Sequence, residues 1–320
     1  MGAAVQLSDR AERRMKLQDL RVLMAVTEAG SMGKAAQRLN ITQPAISRSI
    51  ADLEHALGVR LLDRHPQGIV PTEFGRALLD CGVAVFDDLR QGIKNIEFLA
   101  DPSAGEVRIG SIPPLGASFV SAVIDLVLQC YPRMVLHLVS TGTDALHRDL
   151  HARNVDLLIA RKLGSMADER ESFEFLFEDP YIVVAGARHP WGRRRRIEPA
   201  ELLDASWVLP PAASPPGSIA VEAFRSIGLD YPRVNVVAST PQVRMSLLAT
   251  GRFLTIFSTS ALRFSAKHPE FRVLPVKLPL ARASIGIITL KNRTLSPAAR
   301  LFIRYAHEVA KLMVKKSRAK

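Results

Sequence analysis

A chain of 320 residues has room for two domains and can bury more than one core without disulfide or metal staples. With 48% hydrophobic and 23% charged residues it is neither disordered nor fibrous, and two cysteines, Cys81 and Cys130, supply neither a disulfide framework nor a four-ligand zinc site. The formal charge of +12 is spread unevenly, because residues 1–100 hold 13 Lys and Arg against 12 Asp and Glu, so bulk charge does not by itself identify a nucleic-acid reader.

The first stretch, 1–15, is polar, and its Arg10, Arg13 and Arg14 are followed by no apolar h-region of a secretory signal. Residues 16–72 form the first predicted domain. Leu20, Leu23, Met24 and Val26 give a helical apolar face that Gly30 ends. Ser31 can cap a second helix carrying the small residues Ala35 and Ala36. After a turn at Asn40 and Ile41, Thr42 can cap a third, with Pro44 in its first turn. Ile46, Ile50, Leu53 and Leu57 line one side of that helix, and Gly58 stops it. Gln43, Ser47 and Arg48 fall on the other side, where Gln can pair with adenine and Arg with guanine or phosphate. Residues 59–63 and 68–72 flank a turn at 64–67, a hairpin whose tip would carry Arg64 and His65. Two helices joined by a tight turn, with the second led by polar residues, match a helix-turn-helix. The pattern alone also fits a small protein-binding module.

Thr72 can cap a long helix over 73–100. Leu79, Val83, Phe86, Leu89, Ile93 and Ile96 make a stripe suited either to a partner helix or to the protein's own body. Cys81, within it, reads as a small buried hydrophobe. Residues 101–105, with Pro102, Ser103 and Gly105, read as a hinge.

From residue 106 to 315, short apolar runs at 107–110, 135–139, 156–160, 181–185, 234–237, 254–257 and 285–290 alternate with helix-length segments. Those segments lie at 116–129, 144–152, 219–226, 241–250 and 297–315. This alternation predicts α/β sheets with mainly parallel strands. The longest apolar run, 115–128, is broken by Asp125 and falls short of the ~18 residues of a membrane span, so the expectation is a soluble protein of the reducing cytoplasm. The pair His147 and His151 has metal-ligand spacing but no evident third ligand. Arg193–Arg196 reads as a solvated loop or an extra anion or DNA contact, and residues 316–320 as a basic tail. No dinucleotide fingerprint, P-loop, nucleophile elbow or paired carboxylates suggest an enzyme, and no cofactor is expected.

The stretch AAQRLNITQPAISRSIADLEHALGVRLLDR, followed by Thr72-x-x-Gly75, closely resembles the DNA-binding segment of LysR-type transcriptional regulators. Ala35, Ala36, Leu39, Gln43, Pro44, Ala45, Ser47, Leu53, Glu54, Leu57, Gly58, Leu61 and Arg64 all fall in register. Leu62 departs, an apolar side chain where the family commonly has Phe. Length and element order extend the likeness over the whole chain, and residues 64–76 with the PPAASPPG loop look nearest to regulators of sugar and aromatic-acid catabolism. The resemblance implies a winged helix-turn-helix, a dimerisation helix and a two-lobed effector domain like periplasmic binding proteins. Lobe one would take 106–177 and 283–311, and lobe two 178–282, with crossovers near Arg161–Gly164 and at Arg282. It implies DNA contacts at Gln43, Pro44, Ser47, Arg48 and Arg64. It also implies effector contacts in the inter-lobe cleft at Ser111, Pro113, Pro114 and Thr143, then Ser214 and Thr240, although any of these Ser and Thr could simply cap a helix. The partners implied are double-stranded promoter DNA, a small-molecule effector that is an anionic metabolite or a sugar, a second copy or a tetramer of the chain, and RNA polymerase. A non-specific, nucleoid-type DNA binder is the competing reading.

Overall fold

The computed structural model describes residues 15–66, 68–162, 168–263 and 270–318. The expected polar extension (except Met15), Leu163 and Gly164 of the expected crossover and the last two residues of the expected tail lie outside them. Two compact units divide between Ile93 and Lys94.

In the first unit, α1 (Leu17–Ala29) turns Leu20, Leu23 and Val26 inward and ends at Gly30, whose φ of 65° is the left-handed region that favours glycine. Helix α2 (Met32–Leu39) packs into the same core through the buried Ala35 and Ala36. Thr42 caps α3 (Gln43–Leu57) as expected, its hydroxyl accepting from the Ala45 N–H at 3.4 Å. Ile46, Ile50 and Leu53 complete the core. The hairpin pairs β1 (Leu62–His65) with β2 (Gly68–Pro71), His65 opposite Gly68. Ladder pairing thus runs two residues further than expected, placing Arg64 and His65 on the strand.

Two motif positions find their physical reason here. The Thr72 hydroxyl accepts from the Gly75 N–H at 3.0 Å and donates to the Arg60 carbonyl at 2.8 Å, opening α4 (Glu73–Ala100). A Cβ at Gly75 would lie 2.1 Å from the Leu61 carbonyl oxygen, so only glycine lets the helix approach the wing. Along α4 the apolar stripe is half-buried at Leu79, Val83 and Phe86 and open further on, with Leu89 46%, Ile93 57% and Ile96 68% exposed. Cys81, expected to be buried, is exposed, since it sits off that stripe.

The second unit holds one sheet of nine strands among the described residues. The order is β4 (Arg133–Ser140), β3 (Ala104–Ser111), β5 (Leu157–Arg161), β11 (Arg282–Leu290), β6 (Glu171–Gly186), β9 (Leu254–Ser258), β7 (Trp207–Leu209) and β8 (Val234–Val237), with β10 (Phe271–Val273) also on β6. The expected mainly parallel sheet is mixed. β3, β4 and β5 are parallel, as are β7, β8 and β9, whereas β6 and β11 run antiparallel to each other and to β9 and β5. The reason is that β6 is itself the first link between lobes: Glu171–Pro180 pairs with β11, and Tyr181–Ala185 with β9. The first crossover therefore falls within β6, not near Arg161, which stays paired with Ile285 in lobe one. The expected return at Arg282 coincides with the start of β11. Of the expected hinge 101–105, only 101–103 form a turn, held by Asp101, which accepts from the Ser103 N–H and hydroxyl; Ala104 and Gly105 already belong to β3.

Lobe one is sealed by α5 (Pro113–Cys130, with a wider π turn at Gly116–Val120), α6 (Thr143–His151) and α10 (Pro297–Arg318). By length and composition α5 could cross a membrane, but Leu115, Phe119, Val120, Val123 and Val127 are fully buried in this lobe's core, which accounts for its apolarity. Trp207, Phe224 and Ile256 centre the lobe-two core, covered by α7 (Pro215–Arg225); α8 (Pro241–Ala249) and α9 (Thr259–Arg263) contribute to a smaller cluster around Leu248 and Phe257.

Candidate nucleic-acid interface and inter-lobe cleft

The face of α3 opposite the buried Ile46, Ile50 and Leu53 carries Gln43, Pro44 and Arg48, all exposed, with Ser47 half-buried among them. Because the helix begins at Gln43, these side chains crowd its amino-terminal end, the end that base-reading helices present to a major groove. The helix is pinned from both sides. The Ser49 hydroxyl donates to Asp19 Oδ1 at 2.7 Å, tying α3 to α1. Glu54 Oε1 accepts from the Leu61 N–H at 2.7 Å and the Leu62 N–H at 3.3 Å, fixing where the wing leaves the core. The Ile69 N–H donates to the Gly30 carbonyl at 3.0 Å, so the wing is anchored to the α1–α2 turn as well. Arg64, exposed on β1, stands on that anchored wing.

In the second unit, a cavity of about 270 Å³ opens at the carboxyl ends of β3, β4, β5 and β9, where open α/β sheets place ligands. Of the expected contacts, Pro113, Pro114 and Thr143 line it. Ser111 does not: it is fully buried, its hydroxyl donating to the Ile159 carbonyl at 2.9 Å. Ser214 acts as the cap of α7, accepting from the Gly217 N–H, and its neighbour Pro216 reaches the cavity instead. Thr240 likewise stands at the α8 cap position, flanked by the lining residues Ser239 and Pro241.

Among the lining residues that escaped the sequence reading are Arg161, Tyr181 and Arg244. Arg161 ends β5, Tyr181 sits on β6 just past the crossover, and Arg244 is in the second turn of α8. Arg244 is only 4% exposed; its Nη1 donates to the Ile256 carbonyl at 3.2 Å and its guanidinium lies 4.6 Å from the Phe257 ring centroid. The Arg161 guanidinium lies 5.2 Å from the Tyr181 ring centroid. Burial, countered by the Tyr181 phenol and reinforced by the positive charge of Arg161, brings Arg244 down to about 10. Burial pushes the Tyr181 phenol up, keeping it a neutral donor. A helical apolar pattern hides an arginine that sits where the face turns inward, so only the tertiary arrangement reveals these residues.

Other sequence candidates resolve differently. A larger hollow, about 500 Å³, lies among the end of α4, β3, β4 and the start of α10, but there Lys94 is 3.9 Å from Glu106 and Arg133 2.7 Å from Asp101, so these cations already have partners. His147 and His151 share one carboxylate, Glu171 Oε1, at 2.7 and 2.9 Å, and no metal-holding group of three occurs among the described residues. In the arginine run, Arg194 pairs with Glu201 at 2.6 Å and Arg196 with Glu198 at 2.7 Å, intramolecular pairs of a surface loop.

Residues 17–76 match the family described as bacterial regulatory helix-turn-helix protein, lysR family, and residues 100–311 match the LysR substrate binding domain. The HTH-type transcriptional regulator GbpR of Azospirillum brasilense is 26% identical over 90% of this chain and 84% of its own length. The SDS degradation transcriptional activation protein of a Pseudomonas strain is 30% identical over 88% of this chain and 92% of its own. Among solved structures, full-length CbnR complexed with its target DNA is 20% identical, covers 92% of this chain and all of that one, and superposes with a TM-score of 0.54.

Proposed function

Because the chain belongs to the LysR family of DNA-binding transcriptional regulators with an effector-binding domain, which are not enzymes, we propose how its own residues divide the work. Gln43, Pro44, Ser47 and Arg48 enter the major groove of an operator, and Arg64 on the wing holds the sugar-phosphate backbone. The carrying observation is that Gln43, Ser47 and Arg48, with Pro44 beside them, gather on the outward face of the amino-terminal end of α3, while its inward face is a closed apolar core. The protein works in the cytoplasm as a homo-oligomer whose subunits are paired through α4. The exposed Leu89, Ile93 and Ile96 support that reading.

The inter-lobe cavity lined by Pro113, Pro114 and Thr143 is the effector site. A small molecule there, an anionic metabolite or a sugar, biases how the two lobes close, and thereby how paired subunits sit on DNA and meet RNA polymerase. Such a ligand shifts the balance only through different affinity for the two arrangements.

Anisotropy titrations against operator and random duplexes test the DNA half. Wild type should prefer its operator by roughly 10³ or more, which a nucleoid-type binder does not. Arg48→Ala should cost about 1–3 kcal/mol and relax the preference, while Arg64→Ala should weaken both duplexes alike and lower the salt slope by about 1. Unchanged affinity and preference in Arg48→Ala would remove α3 as the reader.

A further inference from the structure

We infer that Arg161, Tyr181 and Arg244 form an anion-holding pole that spans the cleft from lobe one to lobe two, and that its ligand is a carboxylate on an apolar body. This rests on the reading of the cavity as the effector site and names the chemistry that fills it.

Three buried polar atoms of these residues have no hydrogen-bond partner: Arg161 Nε, Tyr181 Oη and Arg244 Nε. All three residues line the same cavity, and among the described residues no Asp, Glu or His side chain lines it with them. Asp179, the buried carboxylate two residues before Tyr181, is committed elsewhere, accepting from the Thr259 hydroxyl and from both the N–H and the hydroxyl of Ser260. Buried donors without acceptors are costly, and two guanidiniums facing one cavity repel. One anion removes both penalties, and a planar carboxylate suits the guanidinium fork.

The remainder of the wall narrows the class. Three of the helices that start at the cavity place proline in their first turn: Pro113 and Pro114 on α5, Pro215 and Pro216 on α7, and Pro241 on α8. Proline has no N–H, so these ends give up part of the donor nest that a phosphate requires and offer apolar rings there. With Ile112, Ile256 and Phe257 they make most of the lining apolar. Sugar sites commonly use carboxylates or side-chain amides as strong acceptors, and among the described residues the lining has neither, only hydroxyls such as those of Thr143 and Ser258. At about 270 Å³ the cavity also exceeds an inorganic anion and suits a small organic acid.

Calorimetry on the full chain tests this with benzoate and hexanoate, their neutral amides, inorganic phosphate and glucose. At least one carboxylate should bind at least tenfold tighter than its own amide, and than phosphate or glucose. Arg161→Gln and Arg244→Gln should each weaken it tenfold or more, with Arg161→Lys intermediate. Arg161 is the less buried of the two, so its variant remains informative if Arg244→Gln folds poorly by circular dichroism. Ala261→Trp, which fills the cavity, separates the two levels of inference. If it abolishes binding of an amide or glucose that the arginine variants leave intact, the cleft stands as the effector site and the anion pole falls. If carboxylate binding survives it, both readings fall. Absence of binding by both carboxylates overturns the pole.

Discussion

Replacing Glu54 should uncouple the wing from the reading helix. Its Oε1 accepts two backbone N–H groups, from Leu61 at 2.7 Å and Leu62 at 3.3 Å, and both residues are buried, Leu61 to 1% exposure. A hydrogen bond to a charged group contributes about 1.5–3 kcal/mol, and a buried N–H left unpaired recovers none of its hydration. Counting the longer bond at less than full value, Glu54→Ala should cost the first unit about 2–4 kcal/mol. For a unit of this size each kcal/mol moves the midpoint roughly 4–8 °C, so the drop should be on the order of 10 °C or more. Glu54→Gln keeps the acceptor oxygen without the charge and should lose about half as much. Far-UV circular dichroism is the assay, because both tryptophans, Trp191 and Trp207, lie in the second unit and do not report on the first. DNA affinity should fall in the same order, since Arg64 stands on the strand that Glu54 anchors. Ala and Gln variants that both melt within about 2 °C of wild type would refute the reasoning.

Two further outcomes follow. Gly75→Ala places a methyl 2.1 Å from the Leu61 carbonyl oxygen, backbone that cannot swing aside, so it should destabilise the first unit by about 1–3 kcal/mol while leaving carboxylate binding unchanged, measured by melting and calorimetry on one preparation. Carboxylate affinity should be flat over roughly pH 6–9, because the guanidiniums of Arg161 and Arg244 keep their protons throughout that range; a decline centred near pH 7 in calorimetric titrations would exclude the arginines.

The amino-acid sequence alone determined the helices, caps and outward face of the DNA-binding unit, because those are local matters. Thr42 and Pro44 announce a helix start, Gly30 and Gly58 announce ends, and a 3.6-residue apolar period separates Ile46, Ile50 and Leu53 from Gln43 and Arg48. It also placed most strands of the second unit, and Pro113, Pro114 and Thr143 at its cleft. Only the tertiary structure decided where the lobes join and which side chains line the cleft. The first half of β6 pairs with β11, a partner more than a hundred residues away, and such non-local pairing leaves no periodic trace in Glu171–Pro180. Arg161 and Arg244 stand 83 positions apart in the chain, one at a strand end and one on a helix. Neither carries a motif, and the fold brings both to one cavity beside Tyr181, where among the described residues no acidic side chain lines the wall to answer them.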